Sequence, residues 1–336
     1  MKRVILSKDY DTPLSIRETE KAIKYIKDTF EQNFAKALNL ERISAPLFVM
    51  NNSGLNDNLN GVERPVSFSI KSIDGVRAEI VHSLAKWKRM ALYRYGFGHD
   101  EGIYTDMNAI RRDEDLDNIH SLYVDQWDWE KVVAKEDRNL NYLKDTVKKI
   151  VNVIVDTLDG VKKRYPFIKA EVTRDVFFIT TQELEDKYPD LTSEEREYAI
   201  VKEYGTVFLM QIGDILKSGK KHDGRAPDYD DWKLNGDILV YNKVLDISFE
   251  LSSMGIRVDE KSMIDQLKKA NALDRMNFPF HKGILEGKFP LTMGGGIGQS
   301  RLCMLMLDKL HIGEVQASLW PQDMIDEFQS IHSKLL

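Results

Sequence analysis

Residues 291–310, LTMGGGIGQSRLCMLMLDKL, carry the pattern on which our interpretation of the fold depends. The stretch begins as an apolar strand, passes through four glycines within residues 294–298, and continues as an amphipathic helix. Glycine has no Cβ, so its backbone can approach a ligand or a neighbouring strand closely. Arg301 follows in the first helical turn, where exposed N–H groups favour an anion. The spacing matches neither the dinucleotide fingerprint nor a P-loop, which leaves both a packing role and a binding role open.

The composition is that of an ordinary globular protein. Of the 336 residues, 42% are hydrophobic and 30% are charged. The net charge is −6 and the isoelectric point is about 5.8. This acidic balance argues against a nucleic-acid partner, because contacts to phosphates require a basic surface. It is compatible with a local basic cleft for a phosphorylated small molecule.

The cysteine count and the hydropathy pattern limit the kinds of site and the cellular compartment that the sequence allows. The sequence has one cysteine, Cys303, which excludes an intrachain disulfide and a cysteine zinc cluster. Its position in the apolar helix after Arg301 favours a core residue over a reactive thiol. No apolar run approaches the ~18 residues of a membrane span, and the N-terminus becomes polar too early for a signal peptide. We therefore expect a cytoplasmic protein with no membrane partner.

The first part of the chain predicts a long helix followed by an edge strand. Apolar residues recur every three or four positions from Ile23 to Leu38, which is typical of one face of a helix over residues 15–40. The next run, residues 41–50, resembles a strand with Pro46 in its middle. Because proline cannot donate a ladder hydrogen bond, we expect this strand at a sheet edge or against another surface.

The remaining segments predict strands joined by hairpins, with helices inserted between them. Asp74-Gly75 joins two short alternating runs and indicates a hairpin. Further strands are predicted at residues 102–111, 120–129, 237–242 and 247–258, and helices at 83–96, 138–165, around Glu183 and at 193–204. The apolar runs 175–181 and 206–212 are typical of central strands. This order predicts an α+β fold with a mostly antiparallel sheet flanked by helices.

The predicted strand at residues 120–129 has an unusual polar pattern. Gln126 and Asp128 share one of its faces, and Asp125 lies on the other, beside aromatic residues. A purely structural strand seldom carries polar groups on both faces, so this strand indicates the floor of a polar pocket. The loop after Gly224 contains several aspartates, which either solvate the loop or face the same pocket.

Three separated pieces resemble the signature motifs of class II aminoacyl-tRNA synthetase catalytic domains. The run from Leu40 to Phe48 after the long helix resembles motif 1, the dimer-interface element. Ile110-Arg111-Arg112-Asp113 resembles motif 2, and residues 294–301 resemble motif 3. Their order along the chain, with an antiparallel pattern between them, makes the set more specific than any one motif.

Longer phrases resemble the ammonia-dependent asparagine synthetases, a short relative of those catalytic domains. These phrases are VHSLAKWKR, LYVDQWDWE, RAPDYDDW, NGDILVYN, FELSSMGIR and GGGIGQSRL. The resemblance spans nearly the whole chain, so we expect one catalytic domain over residues 1–336 and no anticodon-binding domain. It implies that aspartate and ATP form a β-aspartyl-adenylate and pyrophosphate, and that ammonia then displaces AMP. It also implies a homodimer and Mg²⁺ as cofactor.

The resemblance implies roles for residues on the ATP side of the site. Arg111 corresponds to the motif 2 arginine, which contacts the α-phosphate and the activated carboxyl group, and a planar guanidinium suits both tasks. Arg301 corresponds to the motif 3 arginine, which stacks on adenine. Asp237 and Glu250 correspond to magnesium carboxylates, although surface charges at strand ends would be the alternative interpretation. Gly296 and Gly298 are expected beneath the nucleotide.

Seven further positions are implied to form the aspartate pocket: Asp57, Ser83, Lys88, Gln126, Asp128, Asp230 and Ser253. The α-ammonium group of aspartate requires a carboxylate such as Asp57 or Asp128, and the α-carboxylate requires a cation such as Lys88. Gln126 can serve either group, and Asp230 lies in the loop after Gly224.

The nitrogen donor and two competing functions remain to be considered. A glutamine-hydrolysing enzyme needs a nucleophilic thiol, and a chain that begins Met1-Lys2 with its cysteine in a core helix offers none. This predicts free ammonia as the donor, although no general base is identified. One alternative is aspartate activation for another acceptor, such as tRNA or an amine. The other is a non-catalytic aspartate- or ATP-binding regulator, which the presence of both arginines and both carboxylates disfavours.

Overall fold

The computed structural model describes residues 4–7, 10–57 and 63–336. Within these residues the chain forms eleven strands and nine α-helices. The strands are β1 Leu40–Arg42, β2 Phe48–Met50, β3 Ser67–Ser69, β4 Arg77–Ile80, β5 Gly102–Ile110, β6 Tyr123–Val132, β7 Phe177–Thr180, β8 Thr206–Met210, β9 Asp230–Asn242, β10 Ile247–Arg257 and β11 Thr292–Gly298. The α-helices are α1 Ile16–Leu38, α2 Ala85–Tyr95, α3 Leu140–Arg164, α4 Thr181–Lys187, α5 Ser193–Tyr204, α6 Glu260–Lys269, α7 Pro279–Leu285, α8 Gln299–Met306 and α9 Gln322–Ser330.

The strands of the described residues form one large sheet and one small one. The large sheet has the order β1-β5-β6-β11-β10-β9-β8-β7, and the small sheet has the order β2-β4-β3. In the large sheet, β1 pairs with β5 and β7 with β8 in parallel, while the other neighbours are antiparallel. The prediction of an α+β fold with a mostly antiparallel sheet is therefore confirmed.

The glycine-rich strand β11 lies inside the large sheet, between β6 and β10. Gly294 pairs with Glu130 of β6, and Gly296 pairs with Asp128 of β6 and with Ser253 of β10. A Cβ on Gly294 would overlap the Glu130 carboxylate and would lie 2.5 Å from the carbonyl oxygen of Trp129. The glycines thus permit a close approach that no other residue would allow.

The long helix α1 packs its predicted apolar face against the sheet. Ser15 caps its N-terminus in a capping box with Glu18, and the helix ends at Leu38 because Asn39 adopts a left-handed conformation with φ 58°. The buried ring of Phe30 lies 4.7 Å from that of Trp127 on β6. Helix α3 packs beside α1, and together they cover this face with a continuous apolar core.

The strand predicted over residues 41–50 is divided by Pro46 into two strands in different sheets. β1 lies at the edge of the large sheet, and β2 lies at the edge of the small one. The edge position is confirmed, but the prediction of a single continuous strand is wrong. Proline cannot donate a ladder hydrogen bond, and it restricts the backbone conformation of the residue before it. The hairpin at Asp74-Gly75 joins β3 and β4 as predicted.

Two other predictions need correction. The apolar run at residues 175–181 forms β7, which lies at the edge of the large sheet and not in its centre. Apolar side chains are suited to this edge because helix α5 packs against it. The rings of Phe177 and of Tyr204 in α5 stack with their centres 3.7 Å apart. The strand predicted from His120 begins only at Tyr123, since Asp117 accepts the backbone N–H groups of Ile119 and His120 and holds them in a turn.

Among the described residues, no helix is both long enough and apolar enough to cross a membrane. Cys303 is fully buried in α8, and burial raises the pKa of its thiol to about 12. The interpretation of this cysteine as a core residue is therefore confirmed.

Gly294→Ala tests the close approach in the centre of the sheet. We expect the free energy of unfolding to fall by about 1–3 kcal/mol, since the added methyl group must displace Glu130 or a strand backbone. Gly98→Ala is the matched control, because Gly98 is exposed and its Cβ would meet the mobile end of Glu101 at 3.3 Å. Denaturant unfolding of both variants gives the comparison, and equal midpoints would contradict the packing constraint.

Candidate active site

One cleft lies above β6, β10 and β11 and has a volume of about 380 Å³. This volume is within the roughly 300–1,000 Å³ of typical ligand sites. The wall of the cleft includes eleven of the thirteen predicted site residues: Asp57, Ser83, Arg111, Gln126, Asp128, Asp230, Glu250, Ser253, Gly296, Gly298 and Arg301. The other two, Lys88 and Asp237, lie directly behind this wall. Positions separated by more than 200 residues in sequence are thus brought together around one space.

Arg111 enters the cleft from the end of the β5–β6 hairpin. Its backbone N–H donates to the carbonyl oxygen of Leu122 at 2.8 Å, which closes the hairpin and fixes the start of the side chain. Its Nη1 lies 3.7 Å from the Glu114 carboxylate, and its buried Nε has no hydrogen-bond partner among the described residues. Arg112 beside it is exposed and does not line the cleft. Arg111 is therefore the member of the pair that can contact a ligand.

Arg301 also lines the cleft and lies in the first turn of α8. Gly298 precedes this helix directly, so the chain changes from strand to helix beside the cleft. Nη1 of Arg301 donates to the carbonyl oxygen of Glu250 at 3.0 Å, and the guanidinium lies 5.8 Å from the centre of the Phe249 ring. These contacts hold a planar cation along the wall of the cleft.

A buried network of charges forms the floor of the cleft. Arg257 at the end of β10 donates from Nε to Glu130 at 3.0 Å and from Nη2 at 2.7 Å, and it also binds Asp230 through Nη1. Burial raises the pKa of the Asp230 carboxyl, although Arg257 opposes this change. Sequence reasoning missed Arg257. The alternation of side chains from Ser253 along the strand would have placed it on the same face.

Lys88 lies beneath this floor and is fully buried. Its ammonium group binds Asp128 Oδ1 and donates to the carbonyl oxygens of Trp129 at 2.7 Å and Gly295 at 3.2 Å. All three acceptors belong to the protein, so Lys88 fixes Asp128 and the glycine strand in place. A direct contact between Lys88 and a substrate carboxylate stays a prediction.

Asp237 and Glu250, the predicted magnesium ligands, lie on the neighbouring strands β9 and β10. Both oxygens of Asp237 accept from Arg225, an arginine in the loop before β9 that the sequence interpretation did not identify. Burial raises the pKa of the Asp237 carboxyl, and the nearby charge of Glu250 adds to this while Arg225 opposes it. Within the described residues, no group of three or more metal-ligating side chains occurs.

Two histidines that the sequence interpretation did not assign also line the cleft. The Nδ1 of His120 lies 2.8 Å from both oxygens of Asp117. Burial raises the pKa of Asp117, but hydrogen bonds from His120 and from backbone N–H groups outweigh burial and lower it to about 2. His82 is buried beside Ser83, with Nδ1 3.0 Å from the carbonyl oxygen of Asp57.

The loop at residues 51–61 supplies Asp57, which is buried and faces the cleft. Residues 58–61 of this predicted loop lie outside the described residues. Ser83 accepts the backbone N–H of Ala85 at 3.1 Å, which turns the chain into α2. The arrangement therefore presents arginines to an anion and buried carboxylates to an ammonium group within one cleft, a combination that suits a nucleotide together with an amino acid.

Comparison with solved structures identifies the fold. Asparaginyl-tRNA synthetase from Pyrococcus horikoshii, complexed with asparaginyl-adenylate, matches with a TM-score of 0.66 and 15% identity, over 91% of this chain and 71% of that one. Aspartyl tRNA synthetase from Entamoeba histolytica matches with a TM-score of 0.58 and 17% identity, over 94% of this chain and 62% of that one. At such identities the likeness shows the fold alone, and it confirms a class II synthetase-like core.

Comparison with protein families and relatives is more specific. The family model described as aspartate-ammonia ligase matches residues 17–332. An aspartate–ammonia ligase from Clostridium tetani is 64% identical over 323 residues, which cover 96% of this chain and 95% of that protein. One from Lactobacillus johnsonii is 60% identical over 334 residues, with 99% of each chain covered. The chain therefore belongs to the aspartate–ammonia ligase family.

Proposed function

We propose that this protein converts L-aspartate, ATP and ammonia into L-asparagine, AMP and pyrophosphate through a β-aspartyl-adenylate. One observation supports this beyond family membership: Arg111 and Arg301 come from distant parts of the chain and line one cleft with buried carboxylates. Positioned cations of this kind stabilise the charge that develops during phosphoryl chemistry.

In the activation step, an oxygen of the aspartate β-carboxylate attacks the α-phosphorus of ATP, and the bond from this phosphorus to pyrophosphate breaks. Arg111 holds the carboxylate and the α-phosphate together and neutralises charge on the phosphorus oxygens. Its Nε, which lacks an acceptor among the described residues, is available for this contact. Arg301 stacks on the adenine ring, and Gly296 and Gly298 let the nucleotide lie close to the strand.

The aspartate molecule is held by the charged floor of the cleft. The carboxylates of Asp57 and Asp128 suit its α-ammonium group, and Gln126, Ser83 and Ser253 add polar contacts. For the α-carboxylate, Arg257 is a cation that lines the cleft, whereas Lys88 lies behind Asp128. We therefore add Arg257 to the predicted pocket. Asp230 shares Arg257 and limits how far this guanidinium can move.

Asp237 and Glu250 fit a magnesium ion that accompanies ATP. Mg²⁺ is normally bound by one or two carboxylates together with phosphate oxygens, so a larger cluster is not required. The mutual repulsion of the two carboxylates also favours a cation beside them. A magnesium ion held there would neutralise charge on the phosphates of ATP. Arg225 occupies Asp237 in this structure and must release it for such binding.

Free ammonia is proposed as the nitrogen donor. Cys303 is buried in the core and its raised pKa keeps the thiol protonated, so it cannot serve as a glutaminase nucleophile. We further propose a cytoplasmic location and one catalytic domain over residues 1–336.

The deciding experiment supplies aspartate, magnesium-ATP and ammonium to the purified protein and identifies the products. Asparagine and AMP are expected, and ADP in place of AMP would exclude an adenylate. Equal rates with glutamine and ammonium would refute free ammonia as the donor. Aspartate-dependent pyrophosphate exchange with no ammonium-dependent AMP release would favour another acceptor.

Arg111→Ala should abolish adenylate formation and leave the fold intact. Loss of one positioned cation in a desolvated site costs about 3 kcal/mol of barrier, or roughly 100-fold or more in rate. Aspartate-dependent ATP–pyrophosphate exchange measures the step, and thermal unfolding checks the fold. Arg112→Ala is the matched control, since Arg112 is exposed and should retain activity. Near-normal turnover of the Arg111 variant would refute its role.

Glu250→Gln should raise the magnesium concentration needed for half-maximal activity, because the amide keeps the shape of the side chain but removes a negative ligand. Titration of activity with Mg²⁺ at fixed ATP gives the measurement. Glu41→Gln on the exposed edge of β1 is the control and should leave the titration curve unchanged. If Glu250→Gln has the wild-type curve, the metal site must lie elsewhere.

We propose that the protein is a homodimer that associates through the small sheet. An exposed apolar patch surrounds this sheet and consists of Leu47, Phe48, Met50, Phe68 and Ile73. The rings of Phe48 and Phe68 lie 5.2 Å apart at the surface. Contiguous apolar surface of this kind marks an interaction site, and a second copy of the same chain is the commonest partner.

Phe48→Asp should convert the dimer to a monomer, because a carboxylate would be buried without a partner at the interface. Light scattering after size-exclusion chromatography measures the mass directly. Phe167→Asp is the matched control, since Phe167 has a similar exposure of 41% but lies outside the patch. A dimer that persists in the Phe48 variant would move the interface to another surface.

A further inference from the structure

His82 is a buried group in the cleft to which the assignments above give no task. It lies between β4 and α2, and 1% of its surface is exposed. Its Nε2 is buried and has no hydrogen-bond partner among the described residues, although the residue lines the cleft. An unsatisfied buried polar atom is unfavourable, so its presence at a cleft wall points to a ligand.

The tautomer of His82 follows from its partner. The carbonyl oxygen of Asp57 can only accept a hydrogen bond, so Nδ1 carries the proton and Nε2 presents a lone pair. Burial lowers the pKa of His82, and the charge of Arg111 acts in the same direction. The hydrogen bond to Asp57 and the carboxylates of Glu63 and Glu79 oppose this change. The ring is therefore neutral at neutral pH and can accept a proton at Nε2.

Two carboxylates of the cleft wall are already engaged by buried cations. Asp128 binds Lys88, and Asp230 binds Arg257. His120 contacts a carboxylate through Nδ1, whereas the partner of His82 is an uncharged carbonyl. Such a carbonyl fixes the tautomer without adding a charge that would retain a proton. His82 thus combines a free lone pair with a neutral ring.

We propose that His82 is the general base of the amide-forming step, an assignment that rests on the proposed function. The ammonia nitrogen attacks the β-carbonyl carbon of the aspartyl-adenylate and forms a C–N bond. The C–O bond to the AMP phosphate breaks, and that oxygen keeps the electron pair. The nitrogen loses one proton to Nε2 of His82, which passes it to water, so ammonia and adenylate yield asparagine, AMP and a proton.

The position of His82 fits this step. Arg111 holds the activated carboxyl group in the proposed reaction, and its charge is felt by the His82 ring in the same cleft. Ser83, the next residue in the chain, belongs to the proposed aspartate pocket. His82 therefore lines the same cleft as the arginine that holds the acyl group in the proposed reaction, and not a remote cavity.

His82→Asn separates the two half-reactions. The shorter amide retains an N–H group for the Asp57 carbonyl but has no basic atom. Aspartate-dependent ATP–pyrophosphate exchange, measured without ammonium, should stay near the wild-type rate. Asparagine formation from ammonium should fall by about 10²- to 10⁴-fold, the usual contribution of a general base.

Hydroxylamine as the acceptor distinguishes a general base from a structural role of His82. A purely structural defect would affect both acceptors equally. Hydroxylamine is a weaker base than ammonia and is largely unprotonated at neutral pH, and the adduct that it forms loses its proton readily to water. The His82→Asn variant should therefore recover much of the wild-type rate of β-aspartyl hydroxamate formation. An equal loss with hydroxylamine and ammonium would overturn the proposal.

Two further outcomes decide the remaining cases. Unchanged asparagine formation in His82→Asn would overturn the role of His82 as the base. If both His82→Asn and His82→Gln lose pyrophosphate exchange in step with asparagine formation, His82 only supports the site and the proposal fails. A wild-type protein without aspartate-dependent exchange would instead refute the proposed function, which keeps the two failures distinct.

Discussion

The buried ion pair between Glu130 and Arg257 is the constraint on which the rest of the site depends. It joins β6 to β10 across β11, and it fits only because residue 294 of the intervening strand has no Cβ. Loss of one partner of such a pair leaves an uncompensated charge in the interior and costs about 3–5 kcal/mol. The glycine run that appears in the sequence as a ligand-binding turn is thus first a requirement of electrostatics and packing.

The same constraint makes the cleft rigid before any ligand binds. Lys88 continues the network, since its Nζ lies 3.8 Å from the Oε2 of Glu130 that Arg257 also contacts. Its hydrogen bonds to Asp128, Trp129 and Gly295 tie α2 to the sheet. Groups on strands that are locked in this way need little reorganisation during a reaction, which is the condition for effective electrostatic catalysis. The network explains why carboxylates at the cleft floor can stay buried and still be compatible with folding.

The sequence predicted those features that depend on contiguous residues and missed those that depend on distant partners. Arg111 and Arg301 belong to continuous motifs, and both line the cleft. Arg257 escaped notice because its partner Glu130 is 127 positions away, and a charge pair of that separation leaves no local pattern. His82 was missed because its partner is a backbone carbonyl, which every residue carries. The edge position of β7 was mispredicted because helix packing, not sheet position, makes its residues apolar.

The two arginines and the proposed base place opposite demands on one small cleft. Arg111 and Arg301 must remain charged to hold phosphates, whereas the group that removes a proton from nitrogen must be uncharged and must not hold the ammonium ion. A carboxylate in the place of His82 would bind ammonium as an ion pair, whereas a neutral imidazole would not. Burial and the positive charge of Arg111 lower the pKa of the imidazole and so help to keep it uncharged. The arginine that activates the carboxyl group therefore also favours the protonation state that the second half-reaction requires.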